Sequence, residues 1–141
     1  MYSYKKIGNR FIVSLKNGTE IVKALQLFCK EMNIRSGIIA GIGSIDEIRL
    51  RFFDAKTKQY SSQQFQEQME IANLMGNIST YNKDIYLHIH ITLGRSDYSA
   101  IAGHLLSATI SGTGEFLVED FDADMMRYYN SELGVNYYDF E

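Results

Sequence analysis

From Glu20 to Asn33, the apolar residues Ile21, Leu25, Phe28, Cys29 and Met32 recur every three or four positions. That spacing lines one face of a helix. The apolar run before it, in "NRFIVSLKNGTE", suits a strand closed by Asn17-Gly18, and the Thr19 hydroxyl predicts an N-cap. Most of the remaining chain alternates with period two. "EIRLRFF", "DIYLHIHITL", "HLLSATI" and "GEFLVEDF" each read as a strand with one buried face. "YSSQQFQEQMEIANLMGNIS" reads as one or two further strands broken at Gly76. "DAKTKQ", "GRSD" and "SGTG" read as turns or loops. The tail "ADMMRYYNSELGVNYYDFE" suits either a short helix or two short strands around Asn130 to Gly134. One helix against about six to eight strands predicts an α+β fold with a mostly antiparallel sheet.

The glycines of "GIIAGIGS" (Gly37, Gly41, Gly43) invite comparison with a phosphate-binding loop. The chemistry does not follow. No G-x-G-x-x-G is present, no Lys-Ser/Thr comes next, and no helix begins there to present its N-terminus to an anion. A bend or bulge between strands is the better reading.

All three histidines of the chain, His88, His90 and His104, fall within "YLHIHITLGRSDYSAIAGH". Residues i and i+2 of a strand share a face, so His88 and His90 project together while Leu87, Ile89 and Ile91 point the other way. The turn at "GRSD" can return the chain along a neighbouring strand and bring His104 to join them. Gly103 permits close backbone approach there. Three imidazoles without a thiolate form the donor set of an open zinc site, whose fourth position is left for water or substrate. Three separate hydrogen-bonded histidines are the alternative. A ligating imidazole usually gives its free N–H to a carboxylate or carbonyl. Glu70 and Glu115, set in the apolar surroundings "MEIANL" and "GEFLVE", are the candidate acids, for that role or as a general acid or base. A solvent-facing position is the plainer alternative for each.

Composition narrows the partners. The 141 residues predict one domain over 1–141, long enough to bury a core without disulfides. Fourteen basic and 17 acidic residues give a net charge of −3, without the clustered Lys and Arg that phosphate contacts require. The one cysteine, Cys29, lies on the apolar helix face and is expected to pack in the core. The N-terminus "MYSYKKIGNRF" lacks the apolar stretch of a signal peptide, and no apolar run reaches the ~20 residues of a membrane span. A cytoplasmic location is expected.

Taken together, "NGTEIVKALQLFCKEMNI", "GIIAGIGSID", "MEIANLMGNIS", "LHIHITL", "AGHLLSATI" and "GEFLVE" resemble the PPC (plants and prokaryotes conserved) domain, from about Tyr4 to Val135. This domain accompanies AT-hooks in plant nuclear proteins and stands alone in prokaryotes. The resemblance implies a compact α+β fold, similar to that of acetolactate decarboxylase, that assembles as a homotrimer. It also implies that His88, His90 and His104 hold Zn2+ or a similar divalent transition metal. The family often has two glycines before the third histidine; this chain has Ala102-Gly103. An AT-hook is built on Arg-Gly-Arg-Pro. The chain has no proline, and "GRS" at Gly94 to Ser96 is no substitute, so direct DNA binding by this domain is not expected. The functions in view are a trimeric metal-binding module, a metal-dependent lyase or hydrolase acting on a small polar substrate, or a DNA-associated regulator, the last implied only by the family's name and plant relatives.

Overall fold

The computed structural model describes residues 1–140. Eight strands and one helix follow the order β1 (Tyr2–Ile7), β2 (Arg10–Lys16), α1 (Ile21–Glu31), β3 (Gly37–Asp54), β4 (Gln59–Tyr81), β5 (Asp84–Gly94), β6 (Ala100–Asp120), β7 (Arg127–Asn130) and β8 (Val135–Tyr138). The α+β expectation, a mostly antiparallel sheet with one helix, therefore holds. The main sheet runs β1-β2-β6-β3-β4-β5, and β5 also pairs with β6. That extra pairing curls the sheet back on itself. The first half of β6 lies beside β5 and its second half beside β2.

The helix buries Ile21, Ala24, Leu25, Phe28 and Cys29. They meet Phe11, Val13, Leu15, Ile39, Phe116 and Val118 from the strands in one core. Cys29 is a packing residue, and burial pushes its thiol up to about 12, away from the reactive thiolate. The N-cap is Glu20, not Thr19. The Glu20 carboxylate accepts from Val22 N at 3.0 Å and Lys23 N at 2.8 Å. It also accepts from Ala108 N at 3.2 Å, which ties the helix start to β6. Thr19 donates its hydroxyl to the Met1 carbonyl instead. A carboxylate long enough to reach both the helix N-terminus and a strand does what a hydroxyl cannot.

Two expected interruptions are absent. β4 runs unbroken through Gly76, and β6 runs unbroken through "SGTG" as one strand of 21 residues. Gly112 takes φ +104 there, which bends β6 without reversing it. Both halves of β6 pair with the long β3, so the chain has no room to turn back. β3 carries irregular register between Gly41 and Gly43 and between Ile45 and Glu47, so the bulge expected from its glycines falls inside one continuous strand rather than between two. The tail forms the β7–β8 hairpin, the two-strand alternative. Among the described residues, no helix is long and apolar enough to cross a membrane.

Candidate metal centre

Alternation along β5 buries Ile89 and Ile91 and leaves His88 and His90 on the opposite face. Register then places the third histidine. The turn after Gly94 closes with Arg95 N donating to Ser99 O at 2.9 Å, and β6 returns with His104 directly across from His90. The ring centroids lie 5.1 Å (His88 to His90), 5.1 Å (His88 to His104) and 5.4 Å (His90 to His104) apart. One ring nitrogen from each histidine falls within 4.8 Å of the other two. The Nε2 atoms of His88 and His90 are 3.2 Å apart, close to the roughly 3.3 Å between two ligands of a tetrahedral zinc.

The electrostatics suit a metal. Burial lowers His104 to about 3, helped by Arg51 and then the other histidines. Burial likewise lowers His88 to about 4, helped by Arg127, His90 and Arg51. Both imidazoles are therefore neutral at pH 7, the state in which a ring nitrogen can donate its lone pair. Three ring nitrogens gathered within 4.8 Å of one another fit a zinc-like ion.

Two open cavities meet at the histidines. One of about 530 Å3 is bounded by Arg51, Phe53, Tyr60, His104 and Asn136 together with His88 and His90. The other, of about 510 Å3, is bounded by Met75, Asn77, Phe121 and Tyr138 beside the same two histidines. Among the described residues no carboxylate lines either cavity.

Glu70 and Glu115 stand elsewhere. Glu70 faces Gly94 and Ser44 across its neighbouring strands, and Glu115 faces Ser14 and Ile42. Both are exposed. Their apolar surroundings are the inward half of an alternating pattern. Met69, Ile71, Phe116 and Val118 fill the core, and Glu70, between the first two, and Glu115, just before Phe116, take outward positions. The structure thus places neither acid at the histidines.

The groups that do surround the site are polar residues the sequence did not single out. Arg51 lies across β3–β6 from His104, and its guanidinium sits 4.3 Å from the Tyr60 ring centroid. Asn77 lies across β4–β5 from His88. Arg127, buried on β7, reaches over from the C-terminal hairpin. It donates Nη2 to Asn77 Oδ1 at 2.7 Å, Nε to Ser79 Oγ at 2.9 Å and Nη1 to the Asn136 carbonyl at 3.3 Å. Its guanidinium also sits 4.2 Å from the Tyr138 ring centroid. Alternation in "EIRLRFF" could have put Arg51 on an outward face, but nothing local pairs it with His104. Arg127 lies in the tail whose conformation the sequence left open.

Comparison with known proteins agrees with this architecture. No match was found among curated proteins. A protein from Bacteroides thetaiotaomicron, provisionally described as DNA-binding, is 64% identical over 99% of this chain and 98% of its own, with a TM-score of 0.97. A metal-containing protein from Archaeoglobus fulgidus is 25% identical over 98% and 97%, with a TM-score of 0.86. A plant- and prokaryote-conserved protein from Pyrococcus horikoshii is 24% identical over 99% and 94%, with a TM-score of 0.85. The likeness to the decarboxylase fold also holds. A Staphylococcus aureus protein of unknown function, similar to alpha-acetolactate decarboxylase, reaches a TM-score of 0.55 at 13% identity, over 86% of this chain and 56% of its own. The model of the Plants and Prokaryotes Conserved (PCC) domain matches residues 2–122, and the chain belongs to that family.

Proposed function

We propose that this chain is a metal-binding module in which His88, His90 and His104 hold zinc or a similar divalent transition metal. The convergence of three ring nitrogens within 4.8 Å carries the reading. The metal-containing relative from Archaeoglobus fulgidus is consistent with it. When bound, the ion would act as a Lewis acid toward an oxygen at its open position. The protein's share is to hold three imidazoles in place: two by the alternation of β5, the third by the β5–β6 register. Purified protein should carry about one ion per chain, and the His88→Ala/His90→Ala variant almost none. Equal metal content in the two would refute the proposal.

The module works as a homotrimer in this reading. Ile12, Leu117, Ala40 and Met75 stand in register on neighbouring strands β2, β6, β3 and β4. Ile12, Leu117 and Met75 are exposed, as are Ile38 and Ile42 nearby. An apolar stripe of this kind on an outward sheet face suits burial against further copies of the chain. The provisional DNA-binding label of relatives finds no counterpart in the residues here. The domain is acidic overall and has no Arg-Gly-Arg-Pro.

A second reading is a metal-dependent lyase or hydrolase acting on a small polar substrate. The cavity of about 530 Å3 beside the histidines favours it. Turnover screening of the metal-loaded protein, with the histidine variant as blank, tests it. Activity equal in both would remove the metal from the chemistry.

A further inference from the structure

We infer that the cavity beside the histidines binds a small organic carboxylate through Arg51, and that the same molecule gives a hydrogen bond to Asn136. The inference rests on the metal-site reading for what lies at the other side of the cavity, but the Arg51 observations stand by themselves.

Arg51 and Asn136 both line this cavity, and each carries a buried polar atom that lacks a partner: Arg51 Nε, a donor, and Asn136 Oδ1, an acceptor. Buried polar groups are nearly always satisfied, because an orphan loses its hydrogen bonds to water and gains nothing in return. Two orphans of opposite kind on residues lining one cavity mark the places where a ligand is to supply an acceptor and a donor.

Charge decides the class of ligand. Arg51 is a permanent cation, and among the described residues no carboxylate lines the cavity to balance it. Arg127, also cationic, lies close enough to act on His88. A divalent ion on the histidines would add to the imbalance. The missing partner is therefore an anion. Arg51 has one face against Tyr60, with the guanidinium carbon 4.3 Å from the ring centroid. Stacking of that kind leaves the in-plane N–H fork free for two parallel bonds to a carboxylate. Phe53, Tyr60 and Tyr86 give the rest of the wall an apolar character that suits a short carbon chain. Asn136 Oδ1 then takes a hydroxyl or amine hydrogen from that chain.

Lactate, propionate, lactamide and inorganic phosphate serve as probes in an NMR titration of the metal-loaded protein. Lactate carries both carboxylate and donor, propionate lacks the donor, and lactamide lacks the charge. Lactate should bind more tightly than propionate, and lactamide at least about tenfold more weakly than lactate. Arg51→Gln should weaken lactate about tenfold or more while leaving lactamide binding and metal content unchanged. Arg51→Lys, which keeps the charge without the fork, should fall between. It also covers the case in which Arg51→Gln does not fold. Lactamide binding as tightly as lactate, Arg51→Gln or Arg51→Lys binding lactate like the parent, or phosphate outcompeting lactate at Arg51 would each overturn the assignment. If the protein takes up no metal, the histidine reading fails separately. The Arg51 dependence of lactate binding to the metal-free chain then decides this inference.

Discussion

Arg51 lies directly across the β3–β6 ladder from His104. After burial, this cation is the largest cause of the depressed His104 pKa of about 3. His88 is lowered to about 4 by burial, with Arg127 as the leading charge. His88 and His104 are thus both kept neutral at pH 7 by their surroundings.

This sets the pH dependence of the metal-free chain. Unfolded, both histidines titrate near 6.5. Below about 6.5 the unfolded chain therefore binds more protons than the folded one, and stability rises with pH across that window. The contribution is fully present above 6.5 and is lost as pH falls toward about 4 for His88 and about 3 for His104. Melting temperatures of metal-free protein should drop on acidification through this range, and the His88→Gln/His104→Gln variant should flatten that part of the curve. Parallel curves for the two proteins would contradict the assignment.

Arg127 fastens the β7–β8 hairpin to the main sheet through Ser79, Asn77 and the Asn136 carbonyl. Arg127→Leu leaves those partners without their donor inside the protein. The expected cost is about 2–4 kcal/mol by denaturant unfolding, with faster proteolysis within the hairpin. A variant as stable as the parent would mean that the hairpin is held by its aromatic contacts alone.

Gly76 bears on the site through the backbone. A Cβ there would come within 2.7 Å of the His88 carbonyl oxygen and 2.7 Å of Ile89 Cγ1. Gly76→Ala should cost about 1–3 kcal/mol and weaken metal retention, because relief of the clash moves β5 and His88 with it. Gly94→Ala is the control: a Cβ there meets nothing within 4 Å, and the change should stay within about 0.5 kcal/mol. Equal effects at the two positions would remove the argument from close strand approach.

Leu117 is at the middle of the apolar stripe, between Ile12 on β2 and Ala40 on β3. Leu117→Glu puts a charge where further copies of the chain are proposed to pack. Light scattering should show a trimer for the parent and a monomer for the variant, with far-UV circular dichroism unchanged. A monomeric parent would end the trimer proposal.

Period and composition were enough to determine several things about this protein. The helix face from Ile21 to Cys29, the α+β class, and the shared face of His88 and His90 are all consequences of local backbone geometry, which repeats every 3.6 or every two residues. Boundaries were less legible where a distant partner overrides a local signal. Gly76 and "SGTG" look like breaks, but Gly76 is paired with β3 and β5 on its two sides, and "SGTG" is a bend between two stretches of β6 that both pair with β3. Thr19 looks like a cap, but Glu20 reaches both the helix and Ala108 on β6.

The third histidine of the cluster was legible as a possibility; its position opposite His90 is a matter of β5–β6 register. The surroundings of the site were decided by tertiary structure. Arg51 comes from β3 and Arg127 from β7, whereas Glu70 and Glu115 occupy outward positions away from it. Sequence period assigns a side chain to a face. Which distant side chains share that face at one point depends on how the long strands bend, bulge and pair, and that is a property of the whole sheet.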